Sequence, residues 1–213
     1  MVYKMNNESN SRSYHHGNLR SACIAGALEI LQDRGKDKIT LRGVAEKAKV
    51  SHSAPYRHFK TKQDLLAACI ASGFGLLEKA VTDSVEGAGG DPIHQLFAGS
   101  YAYAKFGASH PQLYRLMFGG DLADSNYPDI AKAASAAFSV PVAFLEAAQA
   151  KGIVRKSDSW LQAFTLWSAL HGIVNLNIDG PRTQIVESAS LETNIKNVLV
   201  ILLEGLAIQD IVK

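Results

Sequence analysis

The stretch Thr40 to Leu66, TLRGVAEKAKVSHSAPYRHFKTKQDLL, decides the reading of this chain. Thr40 caps a short helix, because its hydroxyl can accept from backbone amides two or three residues on. Ile39 and Val44 stand at the two positions of a hydrophobic staple around that cap. Leu41, Val44, Ala45 and Ala48 recur at helical spacing and give one narrow apolar stripe. Ser51 is read as the cap of a second helix running to about Phe59. Thr61 with Asp64 forms a T-x-x-D capping box just before Leu65 and Leu66, which opens a longer helix. Helix, tight turn and short helix together predict a helix-turn-helix, whose second helix fits the major groove of DNA.

The charge distribution agrees. Residues 1–66 hold twelve Lys and Arg against six Asp and Glu, a net of +6, and residues 67–213 hold ten against fourteen, a net of −4. The overall +2 thus conceals a basic head and an acidic body. A polyanion is drawn to the first and repelled by the second, so DNA is expected to dock end-on.

Thr40, Arg42, Ala45, Ala48, Val50, Ser51, Tyr56, His58, Phe59, Lys62 and Leu65 stand in the pattern T-x-R-x-x-A-x-x-A-x-V-S-x(4)-Y-x-H-F-x-x-K-x-x-L. On these residues the chain resembles the TetR family of transcriptional regulators. Tyr14 to Arg20, Ala54 to Phe59, and Trp167 with His171-Gly172 are similar to one branch of that family, whose C-terminal domain carries a W-x-x-x-H-G motif. The resemblance covers roughly the first third of the chain by its long motif. It departs at Lys49, where the family usually has glycine before Val-Ser. Glycine suits a turn of positive φ, and a lysine there carries a backbone cost of roughly 1 kcal/mol.

Length, at 213 residues, allows one larger domain or two small ones, and 47% apolar residues are ample for a core. Cys23 and Cys69 lie among apolar residues and read as small buried hydrophobes ahead of a redox pair. No unbroken apolar run reaches the ~18 residues of a membrane span, and the N-terminus lacks a signal-peptide core, so a cytoplasmic protein without a membrane partner is expected. Periodicity predicts helices almost throughout: one ended by Gly35, one from Lys62 to about Val85, then others to Ala108, Phe118, Ala150 (with a kink at Pro141), Ile178 and Ile208. The expected class is all-α. A three-helix helix-turn-helix domain is placed at 14–62, and a helical ligand and dimerisation domain at 63–213.

The last helix carries Leu191, Ile195, Val198, Leu199, Leu202 and Leu206 as a stripe, widened by Val200, Ile201 and Leu203. A helix apolar nearly all round is buried on several sides, either inside its own chain or against a second copy. The resemblance implies dimerisation through the last two helices and so favours the second option, with Phe164 in the partner face.

Roles in DNA binding follow from position. Ser51, His52, Ser53 and Ala54 open the recognition segment, where side chains reach base edges. They discriminate bases weakly, and Arg42 is the candidate for a bidentate base contact. The resemblance makes Tyr56 and His58 a phosphate-contacting pair and adds Thr40; Lys49 adds a possible phosphate contact. Lys62 opposes the dipole of its own helix start, a placement that makes sense beside a phosphate. An N-terminal arm with Arg12, His15 and His16 ahead of the first helix is expected to follow the DNA backbone or the minor groove. That histidine pair lacks the further ligands of a metal site, and no metal is expected.

Tyr103, Tyr114, Phe118, Trp167, His171 and Asn175 are the candidate effector pocket. Polar groups among apolar neighbours either satisfy one another or line a cavity. With no Arg or Lys cluster facing that way, an uncharged or weakly polar small molecule is the expected ligand. The chain has no G-x-S-x-G, H-E-x-x-H or P-loop, so neither an enzyme nor a cofactor is expected. The resemblance implies a ligand-responsive repressor that binds an inverted-repeat operator as a homodimer. The alternative is a DNA-bound scaffold that recruits a protein and senses no small molecule.

Overall fold

The computed structural model describes residues 15–120, 122, 127–180 and 189–206, with side chains from residue 19 onward. Arg12 and the side chains of His15, His16 and Leu206 therefore lie outside the described residues. Eight α-helices occur among the described residues and no strand: α1 His15–Arg34, α2 Leu41–Lys47, α3 Lys62–Gly87, α4 Pro92–Ser109, α5 Pro111–Phe118, α6 Pro128–Ala150, α7 Ser159–Asp179 and α8 Leu191–Leu206. The all-α class read from the sequence is the fold.

The head is built by short-range bonds. Thr40 Oγ1 accepts from the Gly43 amide at 3.0 Å and starts α2. Ile39 and Val44 are both fully buried. Helix α2 stops in a Schellman arrangement: the Val50 amide bonds the Ala45 carbonyl at 3.0 Å, and the Lys49 amide bonds the Glu46 carbonyl at 3.2 Å. This ending needs a left-handed residue, and Lys49 takes φ 55°, the one positive φ of a non-glycine among the described residues. A lysine thus occupies a conformation that glycine takes without strain.

The second helix of the motif differs from its expected extent. Residues 51–54 are turns, and only Pro55–Arg57 forms one turn of 3-10 helix. Pro55 is the physical reason: inside a helix begun at Ser51 its ring would meet the Ser51 carbonyl, and it has no amide to donate. The Ser51 carbonyl accepts from Ala54 at 2.9 Å instead. Phe59 then buries its ring at 2% exposure, beneath the Arg20 guanidinium 5.8 Å away.

Helix α3 begins with the expected capping box. Thr61 Oγ1 accepts from the Asp64 amide at 3.1 Å, and Asp64 Oδ2 accepts from the Thr61 amide at 2.9 Å. At 26 residues α3 is about 39 Å long. One continuous apolar cluster follows it, from Cys23 in the head through Cys69 to Val174 and Leu199 in the body. Both cysteines are buried and unpaired, and burial pushes the Cys69 thiol up to about 12. Helices pack closely where glycine allows: a Cβ on Gly73 would lie 2.7 Å from Met117 Sδ, which fixes the approach of α5 to α3.

Two expectations for the body are corrected. Ile195 and Leu199 of α8 are 2% and 0% exposed inside their own chain, so they are core residues and unavailable to a second copy. Leu191, Val198 and Leu202 are half-buried on the same side. The stripe therefore faces inward, against α4 and α7. The second concerns membrane-span length, since α3 and α6 each contain a window long and apolar enough to cross a bilayer by length and composition. Counting apolar runs overlooked them because polar residues interrupt both, the adjacent Glu78 and Lys79 in α3 and Lys132, Ser135, Ser139 and Glu146 in α6. In α3 the apolar residues form the core. Helix α6 keeps Pro141 within its length and fully buries only Ile130, Leu145 and Ala148.

A candidate DNA-reading surface and a candidate effector cavity

The head displays Thr40, Arg42, Lys49, Ser51, His52, Ser53 and Tyr56 on its surface. Tyr56 is 56% exposed, an unusual state for a large ring that packing could have buried. Glu46 lies 3.5 Å from both Arg42 Nε and His52 Nε2 and so stands between the two candidate base readers. These pairs are exposed and bind the side chains only weakly. Ser51 and Ser53 share a hydroxyl contact at 3.3 Å. Lys62 Nζ donates to the Asp37 carbonyl at 3.3 Å, which holds the cation beside the α3 N-terminus. His58 is set apart: it is half-buried, and its Nε2 points inward without a hydrogen-bond partner among the described residues.

A second site lies in the body. A cavity of about 800 Å3 opens between α3, α4, α5, α6 and α7, within the range of small-molecule sites. Of the six residues expected there, Tyr103, Phe118 and Trp167 line it. Tyr114 and His171 stand behind that wall, and Asn175 is half-buried outside the lining. The polar groups satisfy one another. Trp167 Nε1 donates to Tyr103 Oη at 3.0 Å, Tyr103 Oη meets Tyr114 Oη at 2.8 Å, and both hydroxyls reach His171 Nδ1, Tyr103 at 3.1 Å.

The network assigns a tautomer. The indole can only donate, so each hydroxyl proton finds an acceptor only if Nδ1 accepts. His171 is therefore neutral with its proton on Nε2. Burial favours the same state, lowering the His171 pKa and raising both phenols well above their usual range. Both alternatives left open by the sequence hold together: Trp167 and Tyr103 form cavity wall, while their polar atoms are already engaged.

Sequence reasoning missed much of the lining. Glu78, Gln95, Ser100 and Met117 contribute to it, as do Ser135 and Ser139 of α6. Their spacing carries no signal, because a cavity wall and a packed face share the same helical period. A further surface stands open on α7, where Trp160, Phe164, Ser168, Gly172 and Leu176 recur every fourth residue and are exposed. Trp160 and Phe164 stack at 5.3 Å between centroids. A Cβ added at Gly172 would meet nothing within 4 Å. Val200 and Ile201 of α8 are exposed as well, Ile201 at 67%.

Known proteins place the fold. Residues 24–69 match the family model described as bacterial regulatory proteins, tetR family, and residues 96–197 match that of the tetracyclin repressor-like C-terminal domain. A Rhodococcus sp. RHA1 protein of unknown function is 32% identical, with 92% of this chain and 99% of that chain covered and a TM-score of 0.80. The TetR family transcriptional regulator PfmR from Thermus thermophilus is 18% identical, with 87% and 98% covered and a TM-score of 0.63. The fatty acid degradation regulator FadR from Bacillus halodurans is 17% identical, with 88% and 96% covered and a TM-score of 0.69. No curated protein matches the sequence.

Proposed function

The chain belongs to the TetR family of transcriptional regulators, and from that premise we propose that it is a ligand-responsive repressor, without enzymatic activity, that binds an inverted-repeat operator as a homodimer. The head at 14–62 reads DNA and the body at 63–213 senses the ligand and dimerises. The observation that carries this reading is that one helix serves both sites. Helix α3 starts at Lys62 on the DNA-facing end and supplies Ile70, Phe74, Leu77 and Glu78 to the cavity wall. Helix α6, the opposite wall, meets the start of α3, where Tyr127 Oη donates to Asp64 Oδ1 at 3.5 Å. A ligand that prefers one spacing of α3 and α6 thus acts on the capping box that sets Lys62. Only that differential affinity shifts the equilibrium, each tenfold preference being worth about 1.4 kcal/mol.

The open face of α7 supports the dimer. Ser168 and Gly172 at its centre let a second helix approach closely, and Trp160, Phe164 and Leu176 flank them. With Val200 and Ile201 alongside, α7 and α8 present apolar surface that none of the described residues covers. The assignment of DNA contacts keeps Lys62 and Tyr56 on phosphate and Arg42 with Ser51, His52 and Ser53 near base edges.

Selection of bound duplexes from a random DNA pool is the first test, with an inverted repeat as the expected product. On the selected operator, Lys62→Ala should weaken binding across sequences alike and lower the salt slope by about one unit. A Lys62→Ala protein with an unchanged slope and altered base preference would overturn the phosphate assignment. Enrichment of a single half-site, bound by one chain, would overturn the dimer.

A further inference from the structure

The cavity is long, mostly apolar, and lined by a single charged side chain among the described residues. Along α3 its wall runs from Ile70 to Val85, a rise of about 22 Å at helical pitch. Its two halves differ. Beside the head the wall consists of groups such as Ile70, Phe74, Met117, Phe118, Leu122 and Ile130. Further along α3 come Glu78 and, from α4, Gln95 and Ser100. Gly99 sits opposite Val81 and Val85, which places these α4 residues at the end of α3 away from the head.

Glu78 is half-buried and makes no hydrogen bond or ion pair among the described residues. The neighbouring Lys79 is engaged by Asp83 at 2.8 Å, and no Lys, Arg or His among the described residues lines the cavity. Aromatic rings gather in the same space: Phe138 lies 5.8 Å from Trp160 and 6.3 Å from Trp167, and Phe164 stacks on Trp160. A carboxylate or phosphate headgroup would enter a site with no cation to receive it and an anion already present. A cation finds a counter-charge at Glu78, and aromatic rings, whose faces attract positive charge, line the same cavity.

We propose that the cavity binds an elongated apolar cation, a long-chain amine or quaternary ammonium, with Glu78 as the counter-charge and the tail directed toward the head. This rests on the reading of the cavity as the effector site. It departs from the sequence expectation of an uncharged or weakly polar ligand, which rested on the absence of an Arg or Lys cluster and did not include Glu78.

The protein reports occupancy itself, since both of its tryptophans, Trp160 and Trp167, line the cavity. Fluorescence titrations below micelle formation compare dodecyltrimethylammonium, dodecanol and dodecanoate, on the wild type and on Glu78→Gln, with release of the selected operator measured in parallel. The cation should saturate at one per chain, bind at least tenfold more tightly than the alcohol, and leave dodecanoate weakest. Glu78→Gln should bring the cation to the level of the alcohol and leave the alcohol unchanged. Equal or tighter binding of dodecanol or dodecanoate to the wild type overturns the proposal without use of the variant. So does an equal loss for all three probes in Glu78→Gln. Operator release by dodecanol that ignores Glu78 keeps the ligand-responsive reading and removes the cation. Selective, Glu78-dependent cation binding without operator release does the reverse.

Discussion

The head and the body use apolar residues in different ways. In the head, α1, α2 and the start of α3 close around Cys23, Leu31, Ile39, Val44 and Phe59, none more than 2% exposed. In the body, α6 is comparably rich in Ala, Val and Phe, yet only Ile130, Leu145 and Ala148 are fully buried. The rest of its inner surface faces a cavity of about 800 Å3. A close-packed unit keeps one geometry, whereas a wall that borders empty space on its inner side can shift into it at smaller cost. A DNA reader needs the first property, and a sensor of small molecules needs the second.

The sharpest way to break this comparison is at α8, where core and open surface lie on adjacent residues. Leu199→Ala should cost about 2–5 kcal/mol, seen as a much earlier thermal melt, because the side chain leaves a hole in a packed seam. Ile201→Asp, on the open side, should leave the fold intact and reduce the dimer in sedimentation. A folded, dimeric Ile201→Asp protein would move the interface off this face.

A smaller effect is expected from His171. Burial lowers its pKa from the ordinary 6.5, so above that value both folded and unfolded states are neutral. As pH falls below about 6.5 the unfolded chain takes up a proton that the folded one resists, and stability falls. Protonation would also remove the Nδ1 acceptor from Tyr103 and Tyr114. Melts from neutral to mildly acidic pH should show this loss in the wild type, and less of it in His171→Gln. Identical pH profiles would mean that the network does not hold His171 neutral.

The smallest effect compares two helix ends of one design. Helix α2 ends on Lys49 at φ 55°, and α6 ends on Gly152 at φ 69° with the same pair of backbone bonds. Lys49→Gly should raise stability by up to about 1 kcal/mol, and Gly152→Ala should lower it by about as much. Lys49→Gly should also weaken operator binding if the lysine meets a phosphate. A destabilised Lys49→Gly protein would show that the lysine side chain contributes more than its backbone costs.

Much of the head was legible because its instructions are local. The Thr40 cap, the Thr61–Asp64 box and the αL position at Lys49 each involve atoms within a few residues, so sequence spacing fixes the bond. The expected helix at Ser51 failed for an equally local reason that the sequence also contained, Pro55. In the body the helices were found but their faces were not. Trp167, Tyr103 and Phe118 do stand in the cavity wall, yet Tyr114 and His171 withdrew behind them into mutual hydrogen bonds, and Glu78 entered unannounced.

By itself, then, the sequence determined the all-α class, the caps and turns of the DNA-reading head, and the basic-to-acidic polarity of the chain. The tertiary structure alone decided that Ile195 and Leu199 face their own chain, that Ile201 and Gly172 do not, and that helices α3 to α7 enclose a cavity. The reason is physical. A cap is a bond of fixed sequence separation, whereas one apolar period of 3.6 residues serves equally for a core, a cavity wall and an interface. Which of these it becomes depends on what distant helices bring against it.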